Sequence, residues 1–163
     1  MTKRPRSIAQ EIHQTRPFHS PGHELVLGLA RTAALVEGIG SEVLGGTGVT
    51  GAQYNVLRIL RGAGAEGLPT LTIRDRMVDP SPGVTRLVDR LVAAGYVTRD
   101  RGADRRQVLC RITPAGLALL KTLDAPIDQV HERAVAGLSV ADQRTLIRLL
   151  DQMRAGIHTD LDR

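Results

Sequence analysis

Aromatic residues are nearly missing: Phe18, Tyr54 and Tyr96 are the only three in 163 residues. A core without them has to be built from Leu, Val, Ile and Ala, which suits helices packed on helices. The same scarcity argues against a stacking platform for single-stranded nucleic acid, which needs aromatic rings. The single cysteine, Cys110, excludes an internal disulfide framework and any metal site made of several cysteines. Long apolar runs are also lacking. Stretches such as Leu25–Ala30 and Leu91–Val97 are short and bounded by charged or polar residues, well below the roughly 20 apolar residues of a spanning helix. The N-terminus is charged and carries no apolar stretch of a secretory signal. These absences lead to the expectation of a soluble cytoplasmic chain with no membrane partner.

What is present is an ordinary apolar fraction of 42% and a net charge of +5, unevenly spread. Residues 1–16 hold Lys3, Arg4, Arg6 and Arg16 against Glu11, a basic N-terminal tail. Residues 74–111 hold nine Arg against five Asp, while the rest of the chain is slightly acidic. All the basic residues of the internal segment are Arg, the side chain suited to planar, bidentate contact with phosphate or guanine.

Local signals place the elements. Ser20-Pro21 is a capping hydroxyl followed by Pro, and it opens a helix over about 21–44. Gly45-Gly46-Thr47-Gly48 closes that helix. Thr50 caps a second one, in which Tyr54, Leu57 and Leu60, with Val56 beside them, form an apolar stripe. Residues 61–67 read as a loop that lacks the Gly-Lys-Ser/Thr of a phosphate-cradling loop. Leu71–Met77 reads as a short helix ended by Val78-Asp79-Pro80. Ser81-Pro82 then repeats the cap-plus-Pro start, and Val84, Leu87, Val88, Leu91 and Val92 form a buried stripe. Arg86, Asp89, Arg90 and Ala93 lie on the opposite arc, and Gly95 is placed to end the helix in a left-handed cap. The period then changes to that of strands, over 96–99 and 107–113, with Val108, Cys110 and Ile112 on one face. Between the strands lies a polar tip dense in Arg. Thr113-Pro114 opens a long helix that Pro126 is expected to kink or interrupt. Ser139 and Asp142 resemble a capping box opening a last helix to about Gly156.

Helix, short helix, tight turn, amphipathic helix and basic hairpin, in that order over 49–113, is the order of a winged helix-turn-helix. The second helix of such a pair enters the major groove, and the wing reaches backbone or minor groove. Ser81, Thr85, Arg86 and Arg90 are the candidates on the helix. Arg101, Arg105 and Arg106 are those on the wing, because a narrow minor groove concentrates negative potential. Both ends of the chain carry more apolar surface than a winged helix of this size can cover. Residues 17–48 and 114–163 are therefore read as dimerisation helices, with Leu117, Leu119, Leu120, Leu123, Ile127 and Val130 on one side. Leu146, Ile147, Leu149, Leu150 and Met153 supply the other. The fold expected is mainly α with a small β-wing.

The segment also resembles the MarR (multiple antibiotic resistance regulator) family of bacterial transcription regulators. Its wing motif is Asp-x-Arg, five residues, then Leu-Thr. Here Asp104-Arg105-Arg106, Gln107–Arg111 and Ile112-Thr113 match, with Ile for Leu. Ser81–Leu91 looks like the family's recognition helix and Ile112–Gly116 like its wing-to-helix junction. The resemblance implies an obligate homodimer on a pseudo-palindromic operator, most simply a repressor. It also implies that Arg106 enters the minor groove and that Asp104 helps hold the wing. Such regulators commonly bind a small, often anionic aromatic effector between the dimer helices and the DNA-binding lobe. Here His23, Arg31, Tyr54 and Arg58 are the candidate lining, although core or solvated roles suit them equally. A transcriptional activator, or a non-specific nucleoid-type protein using the same module, is the alternative.

Other chemistry finds less support. Cys110 shares an apolar strand face and reads as a buried, inert thiol. His19 and His23 are four apart, but Ser20-Pro21 puts His19 ahead of the helix and no third ligand accompanies them, so no metal is expected. No Gly-x-Ser-x-Gly, His-Glu-x-x-His or dinucleotide fingerprint occurs. Carboxylates interleaved with Arg stay ionised and suit structure more than acid catalysis. Neither an enzyme nor a cofactor is expected. Arg86 with Asp89, and Asp89 with Arg90, are open to pairing on the helix surface.

Overall fold

A computed structural model of the chain describes residues 6–80, 83–101 and 108–161; for Arg101 only the backbone is described. Seven α-helices and three strands follow one another among these residues. They are α1 (Ile8–Glu11), α2 (Pro21–Leu44), α3 (Gly51–Ala63), β1 (Leu68–Pro69), α4 (Thr70–Arg76), α5 (Val84–Ala93), β2 (Val97–Arg101), β3 (Val108–Ile112), α6 (Pro114–Val135) and α7 (Val140–Leu161), with a 3-10 turn at Gly64–Glu66. The chain divides into two compact units, Met1–Pro126 and Ile127–Arg163.

The helix starts follow from their caps. Ser20 Oγ accepts the His23 N–H at 3.2 Å, with Pro21 at the first helical position. Thr50 and Gln53 form a reciprocal capping box: Gln53 N–H donates to Thr50 Oγ1 at 3.3 Å, and Thr50 N–H donates to Gln53 Oε1 at 2.9 Å. That exchange gives the side-chain oxygen of Gln53, a buried residue, its partner. Ser139 and Asp142 make the same exchange ahead of α7. Gly95, at φ 78°, ends α5 in a Schellman motif: the Gly95 N–H reaches Val92 O, and the Tyr96 N–H reaches Leu91 O, each at 3.0 Å.

The core lies between α3, α4, α5, the sheet and the start of α6. Val56, Leu57, Leu60, Ile73, Val88, Leu91, Cys110 and Leu120 are fully buried in it. The sheet is antiparallel in the order β1-β3-β2, with Leu68 opposite Cys110, Val97 opposite Ile112 and Arg101 opposite Val108. Gly67 precedes β1 at φ 69°. A Cβ there would stand 2.6 Å from the Cys110 carbonyl oxygen, so two backbones meet where only glycine fits.

Several expectations require correction. Residues 61–67 are not a loop, because α3 runs to Ala63 and the 3-10 turn leads directly to β1. Two residues cannot display a strand period, and Pro69 is tolerated because β1 is an edge strand. A short helix, α1, lies within the basic tail and is capped by Ser7 and Gln10. Pro126 does not interrupt α6. Leu123 and Ile127 on either side of it are buried, so packing holds the turn despite one lost backbone bond. The last helix continues past Gly156 to Leu161. Leu120, Leu123, Ile127 and Val130 of the α6 stripe are buried within one copy, as helices that pack together before any second copy is added require. No helix among the described residues is long and apolar enough to cross a membrane.

Candidate nucleic-acid interface

Helix α5 has two chemically distinct sides. Val84, Val88 and Leu91 are buried and Leu87 half-buried, while Thr85, Arg86, Asp89 and Arg90 are exposed. Val92, expected within the stripe, lies at its border and is 36% exposed. The helix opens at Val84, with Gly83 as N-cap at φ 156° and no side-chain cap. Ser81 and Pro82, read as the cap, lie outside the described residues. The turn before α5 is tied back to α3 by Asn55, whose Oδ1 accepts the Val78 N–H at 3.0 Å. Helices α3, α4 and α5 thus present α5 as the outward helix of the pair.

The arginines of the basic segment whose side chains are described fall into two groups. Arg74 donates to Asp75 at 2.9 and 3.1 Å. Arg111 donates to Ala65 O at 2.9 Å and to Asp100 Oδ2 at 3.3 Å. Arg99 pairs with Asp89 and also donates to Thr85 O at 3.3 Å. Partial burial, the largest single influence, would lower the Arg99 pKa, but the hydrogen bonds and charges of Asp89 and Cys110 together exceed it and the pKa is raised, so the guanidinium stays charged. Arg76, Arg86 and Arg90 are exposed and make no ion pair among the described residues. The surface pairs open to Asp89 on its own helix are therefore replaced by a pair with a strand residue. Sequence reasoning also passed over Arg76, whose position in the last turn of α4 is its only signal.

Strands β2 and β3 carry the wing. Arg101 ends β2 opposite Val108, and its side chain is not described. Asp104, Arg105 and Arg106 lie outside the described residues. The base of the wing is firmly built. Thr113 N–H donates to Tyr96 O at 3.0 Å, and Thr113 Oγ1 donates to Gly95 O at 2.8 Å while accepting the Gly116 N–H at 3.1 Å. One threonine thus joins the end of α5, the strand pair and the start of α6.

The candidate effector residues fall into separate local contacts. His23 stacks on His19, centroids 5.7 Å apart, and meets the Phe18 ring edge-on. Arg31 pairs with Glu11 at 3.4 Å. Arg58 sits over the Tyr54 ring at 5.9 Å. Among the described residues no hydrogen bond, ion pair or ring contact joins these three groups, and an open groove of about 360 Å³ lined by Ala9, Gln10, His13, Gln14 and Thr15 includes none of the four. Cys110 is fully buried, with Thr70 Oγ1 3.7 Å from its sulfur. No three His, Cys, Asp or Glu converge as metal ligands among the described residues.

Fold and site define a winged helix-turn-helix protein of the DNA-binding class. The sequence profile of the MarR family matches residues 47–107. A MarR transcription factor from Planctomyces limnophilus is 40% identical, covering 83% of this chain and 99% of that one, with a TM-score of 0.63. The chain belongs to the MarR family of transcription regulators. BpsR of Bordetella bronchiseptica, whose DNA binding is regulated by 6-hydroxynicotinic acid, is 26% identical over 85% of this chain and 98% of that one, with a TM-score of 0.72. A variant of Escherichia coli MarR solved with operator DNA is 26% identical over 77% and 89% of the two chains, with a TM-score of 0.69. A curated relative, a transcriptional regulatory protein for the hcr operon of Thauera aromatica, is 28% identical over 107 residues, and the match spans only 63% of its length.

Proposed function

We propose that the protein is a cytoplasmic, homodimeric repressor that reads a pseudo-palindromic operator in double-stranded DNA and is controlled by a small anionic aromatic effector. The observation that carries this reading is the two-sidedness of α5: an apolar face sunk in the core, and Arg86 and Arg90 exposed without ion pairs among the described residues. Base edges are read by such exposed arginines, and the operator complex of the E. coli relative supports double-stranded DNA as the partner here. Ser81, Thr85, Arg86 and Arg90 contact the major groove. Arg101, Arg105 and Arg106 contact the backbone and minor groove, with Asp104 holding the wing.

Assembly through the terminal helices is supported by what one copy leaves uncovered. In α2 only Leu44 is buried, while Leu25 and Val26 are 61% and 52% exposed and Leu29, Leu35 and Val36 are exposed with them. In α7 no described residue is buried, and Leu146, Ile147 and Leu149 face solvent. Apolar faces of that size are ordinarily covered in an assembly. Effector control is supported by the BpsR relative and by Arg58, an exposed cation held over an aromatic ring.

Selection of bound fragments from a random duplex pool tests the reading. An inverted repeat with half-sites roughly 10 bp apart, centre to centre, is expected, as is a slope of log K against log salt near about −6 for three to four phosphates per subunit. Arg86→Ala relaxes preference at one base position by about 1–3 kcal/mol, whereas Arg106→Ala weakens binding with only a modest loss of sequence preference. A slope near zero, or sedimentation as a monomer, refutes it. 6-Hydroxynicotinate is the first effector probe, read as release of the selected DNA, and a reporter behind the recovered site separates repression from activation.

A further inference from the structure

Asp89 is an unexpected residue on the exposed side of a helix meant for DNA, since a carboxylate there repels phosphate. Its partner explains it. Arg99, on β2 and 28% exposed, reaches across to Asp89 and to the Thr85 carbonyl oxygen. Thr85 and Asp89 are successive turns of one edge of α5, so a single guanidinium spans a full turn of the helix. Strand β2 is one of the two paired strands that carry the wing.

We propose that Arg99 and Asp89 form a clamp that fixes the recognition helix relative to the wing, and that Arg99 is a positioning residue and not a phosphate contact. This rests on the DNA-binding reading above. A planar fork is needed because two acceptors are held at once, one a backbone carbonyl, a task a lysine ammonium on a flexible stem performs poorly. With the clamp intact, base readout by α5 and groove contact by the wing occur in one register. Without it, each element still meets DNA, but the two no longer do so together.

The clamp makes a prediction opposite to simple electrostatics. Asp89→Asn removes a negative charge from the DNA-facing helix, so a carboxylate that merely repelled phosphate would, once removed, give tighter binding to every duplex. The clamp requires instead that Asp89→Asn lose about ten-fold or more on the sequence selected by the unmodified chain, the size expected of a lost charged hydrogen bond. Binding to random duplex is not weakened. Arg99→Gln and Arg99→Lys lose the same selectivity without lowering the salt slope, which falls by about 0.9 for each phosphate contact removed. The exchange Asp89→Arg with Arg99→Asp restores part of the preference, which separates clamping from misfolding.

Full-length proteins titrated against selected and random duplex at several salt concentrations give each number. Tighter or unchanged operator binding by Asp89→Asn overturns the clamp, as does a reduced slope for Arg99→Gln. If the unmodified chain selects no sequence, the DNA-binding reading itself fails, a result distinct from both.

Discussion

Gly116 stands where the wing joins α6, and replacing it with alanine tests how tightly that junction is packed. A Cβ at this position would lie 2.6 Å from the Tyr96 carbonyl oxygen and 2.8 Å from Ile112 Cγ1. Carbon and oxygen settle at about 3.3–3.6 Å, so roughly 0.7 Å of relief is required. Tyr96 O cannot readily give way, because it accepts the Thr113 N–H at 3.0 Å. Forcing a methyl group into such a site costs about 1–3 kcal/mol, against at most about 1 kcal/mol gained by replacing glycine in a helix. With the full gain subtracted, the net expectation is a loss of up to about 2 kcal/mol, or a melting temperature lower by up to about 8 °C for a chain of this size. Gly62 supplies the control: it lies in α3 with nothing within 4 Å of a built Cβ, so Gly62→Ala stabilises by about 0.5–1 kcal/mol. Urea unfolding of both variants at one fixed protein concentration, with unchanged m, reads the two signs directly. If Gly116→Ala unfolds at or above the unmodified midpoint, the packing argument is wrong.

Two further predictions concern a buried thiol and a half-buried phenol. Cys110 is fully buried, so an aromatic disulfide reagent should react with it only at the rate of unfolding, and immediate labelling of native protein contradicts a purely structural thiol. Tyr54 has a pKa raised above 10.0, chiefly because burial disfavours its phenolate, with the nearby Arg58 opposing. Its neutral form is favoured by folding, so its contribution to stability is complete below the unfolded value and declines as pH rises past about 10. Absorbance titration of a Tyr96→Phe variant isolates the group, and ionisation at or below 10 contradicts the sign.

Much of the frame was legible before any coordinates. Val84, Val88 and Leu91 recur at helical spacing, and the caps at Ser20, Thr50 and Ser139 each name a helix start by local chemistry. The hairpin announces itself by the switch to period two around Cys110. What escaped was short or non-local. Strand β1 is too brief to express a period, and the need for glycine at Gly67 arises from Cys110, which contacts it only in the folded sheet. The partner of Asp89 escaped for the same reason. Arg86 and Arg90 are its near neighbours along the helix, yet Arg99, ten positions away on a strand, takes it.

The order of residues alone determined that this chain forms a helix-turn-helix followed by a basic hairpin, because periodicity, capping and turn chemistry act within a few residues. Tertiary structure decided how the arginines divide. Arg74, Arg99 and Arg111 are held by carboxylates or backbone oxygens of the fold, and Arg76, Arg86 and Arg90 are left to the solvent side. An ion pair depends on distance in space, and composition fixes only how many charges there are to be shared.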